Sequence, residues 1–284
     1  MLTRENLRHL RTMLARGRNP VAAVYESIGD DFFLALAPGW LNLGLWDGPG
    51  DEAEAEEAVR RLVRTVAEPL PRGGVIVDVG NGLGAQDPVV AEVARPRRLV
   101  AVNITEFQLR AGRGRLEEAS ADPVVGDATH LPLGEGRADG VISIEAAFHF
   151  ASRRRFFDEA RRVLRPGGVL SFSDVTAERK VPRTPGELAA GLTNLRVWGV
   201  RATALASRDE VVAQLSGAGF VDVRAEAVGE RVFPPAIEVM RRRLRAGGDG
   251  SALRRAGSAA VLAQWDLLYE RGMMEYILVR ATAP

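Results

Sequence analysis

Five short runs of apolar, largely β-branched residues recur through the middle of the chain, at 75–79, 99–102, 123–125, 140–144 and 169–172. Most of the intervening segments fit helices. Continuous apolar strands alternating with helices predict a mainly parallel sheet covered on both faces. The helix before the last run is the clearest. Phe156, Phe157, Ala160, Val163 and Leu164 share one face, Ser152 is placed to cap its start, and Arg165-Pro-Gly-Gly168 reads as the turn that stops it.

The first 70 residues read as helical. Over 52–67, Val59, Leu62, Val63 and Val66 form one apolar stripe. Acids precede arginines there, which complements the helix dipole and predicts Glu56–Arg60 and Glu57–Arg61 pairs on a solvated face. Residues 177–206 mix Pro182, Pro185 and Gly191 with Leu192, Leu195 and Trp198, and read as an insertion that folds over something. Ser207-Arg-Asp-Glu210 is a capping box for a helix burying Val211 and Leu215. Strands follow at 220–224 and 275–279, with a helical region between them that is interrupted near Gly247-Gly-Asp-Gly250. The expected organisation is an N-terminal helical cap over 1–70 and one α/β domain over 71–284, with cover segments at about 177–206 and 233–268.

Composition removes several function classes. Lys plus Arg is 38 against 37 for Asp plus Glu, so the net charge is +1 and no basic excess marks a nucleic-acid binder. Cysteine is absent, which excludes disulfides, thiolate metal sites and cysteine nucleophiles. Three scattered histidines (His9, His130, His149) give no metal cluster, and Lys180 is the sole lysine. No apolar run reaches the roughly 18 residues that span a bilayer, and the N-terminus has no signal-peptide core. A cytoplasmic protein without membrane or nucleic-acid partners is expected, with a homodimer left open.

The most informative segment is Val77-Asp-Val-Gly-Asn-Gly-Leu-Gly84. Glycines at a strand's carboxyl end let the chain turn tightly and let a ligand approach the backbone. A dinucleotide fingerprint would read G-x-G-x-x-G, and a P-loop would need Gly-Lys-Ser/Thr; neither is present. Asp78, two residues before the first glycine, would repel a pyrophosphate and suits a ligand bearing a positive sulfonium or ammonium group.

Asp78-Val-Gly-Asn-Gly-Leu-Gly84 resembles the D-x-G-x-G-x-G motif of class I S-adenosylmethionine-dependent methyltransferases. Val102-Asn-Ile-Thr-Glu-Phe-Gln108, Gly126-Asp-Ala128 with Leu131-Pro-Leu133, Asp139-Gly-Val-Ile-Ser-Ile-Glu145 and Arg161-Arg-Val-Leu-Arg-Pro-Gly-Gly168 resemble the family's later segments in order and spacing. Leu41-Asn-Leu-Gly-Leu-Trp46, the Asn-Ile-Thr-x-x-Gln block at 103–108 and Glu145-Ala-Ala-Phe-His149 are similar to natural-product O-methyltransferases, among them those acting on macrolide and indolocarbazole sugars. The resemblance implies a Rossmann-like seven-stranded sheet, mostly parallel with the last strand antiparallel, with N-terminal helices and an inserted lid. It implies S-adenosylmethionine as cofactor, S-adenosylhomocysteine as product and a small-molecule substrate.

The implied cofactor-binding residues are Tyr25, Trp46, Asp78, Gly80, Asn81, Gly82, Asn103, Ile104, Gln108, Asp127, Ala128 and Glu145, with no metal. Asn103 and Gln108 would face the ribose, and Asp127 would receive the adenine amino group. Asn103 stands where the family often has an acid, and Asn81 where it often has Cys or another small residue. His149, just after the fourth strand, is the candidate base that takes a hydroxyl proton. Asp174, ending the fifth, would orient His149 or take the proton itself. Tyr25, Trp40, Trp46, Phe148, Phe150 and Trp198 are candidates to shape the substrate side, Tyr25 or Trp46 by closing over the sulfonium. Transfer to a hydroxyl is the leading expectation. N- or C-methylation and nicotinamide-dependent oxidoreduction are the alternatives, the last opposed by the glycine spacing and by the lack of a Tyr-x-x-x-Lys pair.

Overall fold

The structure, a computed structural model, describes residues 35–246 and 252–284. Seven strands form one sheet: β1 (Val75–Val79), β2 (Arg98–Asn103), β3 (Ala121–Val125), β4 (Ala138–Ile144), β5 (Leu164–Thr176), β6 (Val221–Ala227) and β7 (Glu275–Thr282). Their order is β3-β2-β1-β4-β5-β7-β6, with β7 antiparallel to both its neighbours. This is the expected sheet, extended beyond 279 at its last strand.

Alternate residues of the central strands feed two separate cores. Ile76, Leu99 and Ile142 pack on one face, and Val77, Val100 and Val141 on the other. The first face is covered by α1 (Ala55–Ala67), α2 (Asp87–Ala94), α8 (Phe233–Arg245) and α9 (Ala252–Glu270). The second is covered by α5 (Arg153–Val163) and α7 (Arg208–Gly217). Short helices α3 (Glu106–Ala111) and α4 (Arg113–Glu118) follow β2, and α6 (Pro185–Val197) lies in the segment after β5. Strands buried on both sides explain why those runs lack polar alternation.

Most predicted local signals are present. Ser152 accepts the Arg155 N–H at 3.2 Å, and the Ser207–Glu210 capping box is formed. The Arg165–Gly168 turn lies within β5. Leu164 pairs with Ala138 and Val169 with Gly140, so the four residues between loop out, with Gly167 at φ +79°. Two expectations fail. Residues 35–50 contain no helix, because Pro38, Pro49 and glycines at 39, 44, 48 and 50 break it. The i,i+4 pairs on α1 are also absent. Arg61 reaches Glu54 at 2.9 Å and Asp47 at 3.2 Å, and Arg64 reaches Glu57 at 2.5 Å. Arg61 also donates to the Leu45 carbonyl, so the loop before the helix draws it backward.

The strand order reverses at β1, which has β2 on one side and β4 on the other. Open α/β sheets bind ligands at the carboxyl ends of the strands flanking such a point.

Candidate active site

The chain leaves β1 through Gly80 and Gly82, both left-handed at φ +80° and +57°. Residues with a Cβ disfavour that region. The loop is braced from below. The fully buried Asp78 accepts the Gln86 amide on both oxygens, at 2.8 and 2.7 Å. Burial, reinforced by the Asp87 charge, pushes Asp78 well above the usual carboxylate range. Asp78 therefore does not line the ligand space. The expectation that it faces a cationic ligand is corrected, because its carboxyl group turns inward to hold the loop.

The ends of β2 and β3 form the next wall. Asn103 donates to Asn81 Oδ1 at 3.2 Å, the Gly82 carbonyl at 3.2 Å and Gln108 Oε1 at 3.1 Å, and its own oxygen accepts the Thr105 N–H at 2.9 Å. Asp127 Oδ1 accepts the Thr129 N–H and hydroxyl, which fixes the short turn bearing Ala128. Ile104 stands 45% exposed at this edge and gives a planar ligand an apolar surface.

The end of β4 contributes the titratable groups. Glu145 sits at φ +48°, an uncommon conformation for a side-chain-bearing residue. Its Oε1 accepts the Leu43 N–H at 2.7 Å and the Tyr276 hydroxyl at 2.8 Å. Burial raises the Glu145 carboxyl to about 7. His149 follows in a single 3-10 turn, Ala147–His149, its ring against Phe148 with centroids 4.0 Å apart. Burial first, then the Arg153 charge, lowers His149 to about 3, so the imidazole is neutral at physiological pH.

Asp174 is fully buried and does not line the cavity. It accepts the Phe148 N–H at 2.9 Å and pairs with Arg153 at 2.5 Å. Arg153 also donates to the Val175 and Ala204 carbonyls. Asp174 thus anchors the turn that carries His149, while Arg153 ties that turn to the end of the 177–206 segment. The expectation that Asp174 takes a substrate proton is corrected, because its oxygens are occupied and face the protein.

These walls enclose one cavity of about 360 Å³, within the range of small-molecule sites, roughly 300–1,000 Å³. Gly80, Asn81, Gly82, Asn103, Ile104, Gln108, Asp127, Ala128, Glu145 and His149 all line it. So do the expected aromatics Trp40, Phe148, Phe150 and Trp198. Trp46 does not: it is 1% exposed, packs in the core and donates its ring N–H to the Leu43 carbonyl. Tyr25 lies outside the described residues. Sequence reasoning missed Leu41, Leu43, Trp265, Met273 and Met274 in the lining, and Tyr276 behind Glu145. A lone tyrosine in an apolar strand carries no local signal of such a role.

Residues 77–172 match the methyltransferase domain family. The chain is 34% identical over 230 residues to the erythromycin 3''-O-methyltransferase of Saccharopolyspora erythraea, covering 78% of this chain and 74% of that protein. It is 32% identical to the 27-O-demethylrifamycin SV methyltransferase of Amycolatopsis mediterranei, over 68% of this chain and 71% of that one. Its fold is similar to a geranyl diphosphate C-methyltransferase from Streptomyces coelicolor A3(2), solved with Mg2+, geranyl diphosphate and S-adenosyl-L-homocysteine. The TM-score is 0.70 at 14% identity, over 92% of this chain and 98% of that one. Such likeness over most of the chain, joined to a glycine loop at the sheet's reversal point, identifies the protein as a class I S-adenosylmethionine-dependent methyltransferase.

Proposed function

We infer that the protein transfers a methyl group from S-adenosylmethionine to a hydroxyl of a small natural product. The observation that carries this reading is one continuous cavity. Bare loop backbone, amides, aromatic and thioether side chains all line it, and His149 and Glu145 belong to its wall. The natural-product O-methyltransferases among the relatives support the class of acceptor.

The residues present fit the cofactor. Gly80 and Gly82 offer backbone without side chains, Gln108 is a neutral amide suited to ribose oxygens and is held by Asn103, and Asp127 is an acceptor beside Ala128. When bound, S-adenosylmethionine supplies an electrophilic methyl group on a sulfonium centre and becomes S-adenosylhomocysteine.

The chain's own work is to position, to desolvate and to accept a proton. Holding two reacting groups in line is worth roughly 7–11 kcal/mol. Trp198 and Trp265, with centroids 5.7 Å apart, and Phe233 give the acceptor an apolar chamber. Segment 177–206 borders that chamber through Trp198, the helices after β6 border it through Phe233 and Trp265, and the loop before α1 borders it through Trp40, Leu41 and Leu43. His149, neutral across the working range, accepts the hydroxyl proton as the acceptor oxygen gains its new bond. Arg153 and Asp174 position His149 through the Phe148 backbone. No described helix is long and apolar enough to cross a membrane. Action in the cytoplasm, on a small molecule and without nucleic acid, completes the reading, and a homodimer is compatible with it.

The test is incubation with methyl-labelled S-adenosylmethionine and a panel of hydroxylated small molecules, followed by mass spectrometry and NMR location of the label. Label on oxygen is expected. Label on nitrogen or carbon, or none on any acceptor, would overturn the assignment.

A further inference from the structure

The side chains of Asn81 and Asn103 touch in the wall beside the glycine loop. Asn103 donates to Asn81 Oδ1 at 3.2 Å, and Asn81 donates to Asp87 Oδ2 at 3.0 Å. Asp87, the first residue of α2, is fully buried, and Asn81 is the one side chain that donates to it among the described residues. The direction of this chain follows from the inventory of donors. Ionised Asp87 only accepts, so above about pH 7 the Asn81 NH2 faces Asp87 and the Asn81 oxygen faces position 103. Position 103 then has to donate. An acid there would set a carboxylate against Asn81 Oδ1, the Gly82 carbonyl and Gln108 Oε1 at once.

We propose that Asp87, at the start of the helix after the glycine loop, acts through Asn81 to require a hydrogen-bond donor at position 103. Asn103 is then a positioning residue. It locks the loop at the Gly82 carbonyl and turns the Gln108 oxygen toward itself, which leaves the Gln108 NH2 to face the ligand space. Through Gln108 the wall presents a neutral donor to the cofactor's ribose oxygens. The proposal rests on the assignment of this wall to S-adenosylmethionine and goes beyond it by tracing the wall's hydrogen-bond polarity to Asp87.

The test is a charge relocation read by calorimetric binding of S-adenosylhomocysteine, with thermal melting of the ligand-free proteins alongside. It is run at about pH 8.5, above the Asp87 carboxyl's value of about 7. Asn103→Asp is expected to weaken binding by about 10–100-fold, the scale of a lost hydrogen bond that leaves charged or buried groups unsatisfied. Asn103→Ala is expected to lose less, because it removes the donor without adding a charge. The double variant Asp87→Asn/Asn103→Asp reverses the chain: residue 87 donates, Asn81 turns over and residue 103 accepts. Binding is expected to recover by at least about fivefold over Asn103→Asp, since residues 87, 81 and 103 again satisfy one another while the Gly82 carbonyl still lacks its donor. Should Asn103→Asp alone fail to fold, recovery of both folding and binding in the double variant supports the proposal just as well. The proposal is overturned if Asn103→Asp binds as tightly as the unaltered protein, or if the double variant is no better than Asn103→Asp or, where that does not fold, no better than Asp87→Asn. Failure of the unaltered protein to bind S-adenosylhomocysteine would instead remove the cofactor assignment on which the proposal stands.

Discussion

Replacing Gly80 by alanine should damage cofactor binding in a way that separates backbone strain from steric conflict. Gly80 sits at φ +80°, and a Cβ built there lies 2.6 Å from the Ala146 Cβ. That neighbour is no flexible tip, so relief needs movement of backbone in the segment between Glu145 and His149. The left-handed conformation costs about 1–2 kcal/mol, and overpacking adds about 1–3 kcal/mol. The sum, about 2–5 kcal/mol, falls on the folded state, on the binding-competent loop, or on both. Gly167→Ala is the control. It has nearly the same φ, +79°, but nothing within 4 Å of the new methyl, so only the strain applies. Thermal melting and S-adenosylhomocysteine calorimetry on both variants give the two contributions. Gly80→Ala should lose at least about tenfold in affinity, or melt markedly lower than Gly167→Ala, while Gly167→Ala keeps full affinity. Equal melting and equal affinity in the two variants would refute the reasoning.

Three further outcomes are expected. Arg153→Met leaves the Asp174 carboxylate buried without its partner, so denaturant unfolding should show a loss of about 3–5 kcal/mol. His149→Ala should lower kcat on an identified hydroxyl acceptor by about 10²–10⁴-fold, while S-adenosylhomocysteine affinity is unchanged; a kcat that barely falls would remove His149 as the proton acceptor. Glu145 holds its proton more tightly when folded, at about 7 against an ordinary 4.5, so its contribution to stability is present below about 4.5 and is lost as pH rises through 7. Relative to Glu145→Gln, which mimics the protonated form, the unaltered protein should be comparably stable near pH 4.5 and less stable above 7; a difference that does not change with pH would contradict the burial argument.

The sheet was legible because its strands are buried on both faces. Continuous runs such as Val75-Ile-Val-Asp-Val79 have few other stable homes. The glycine loop was legible because its backbone conformation excludes most residues. What could not be read were choices made across long sequence separations. Tyr276 meets Glu145 over 131 positions, and Arg153 meets Asp174 from a different element. Trp46 and Asp78 show the limit from the other side. A core and a ligand pocket both welcome an indole, and a buried acid can serve the loop as readily as the ligand, so residue type at a motif's edge does not decide between them. The link from Asp87 through Asn81 to Asn103 is similar: each residue was visible, but the direction of the hydrogen bonds required coordinates.

The central claim is that the bare loop after β1 and the amide wall after β2 hold S-adenosylmethionine beside an apolar acceptor chamber. A crystal structure grown with S-adenosylhomocysteine tests it most directly. Density is expected to run from Gly80 and Gly82 past Gln108 to Asp127, with the sulfur on the side of His149 and Glu145. Ligand seated elsewhere, or a loop that closes on itself and leaves this space filled by protein side chains, would contradict the account.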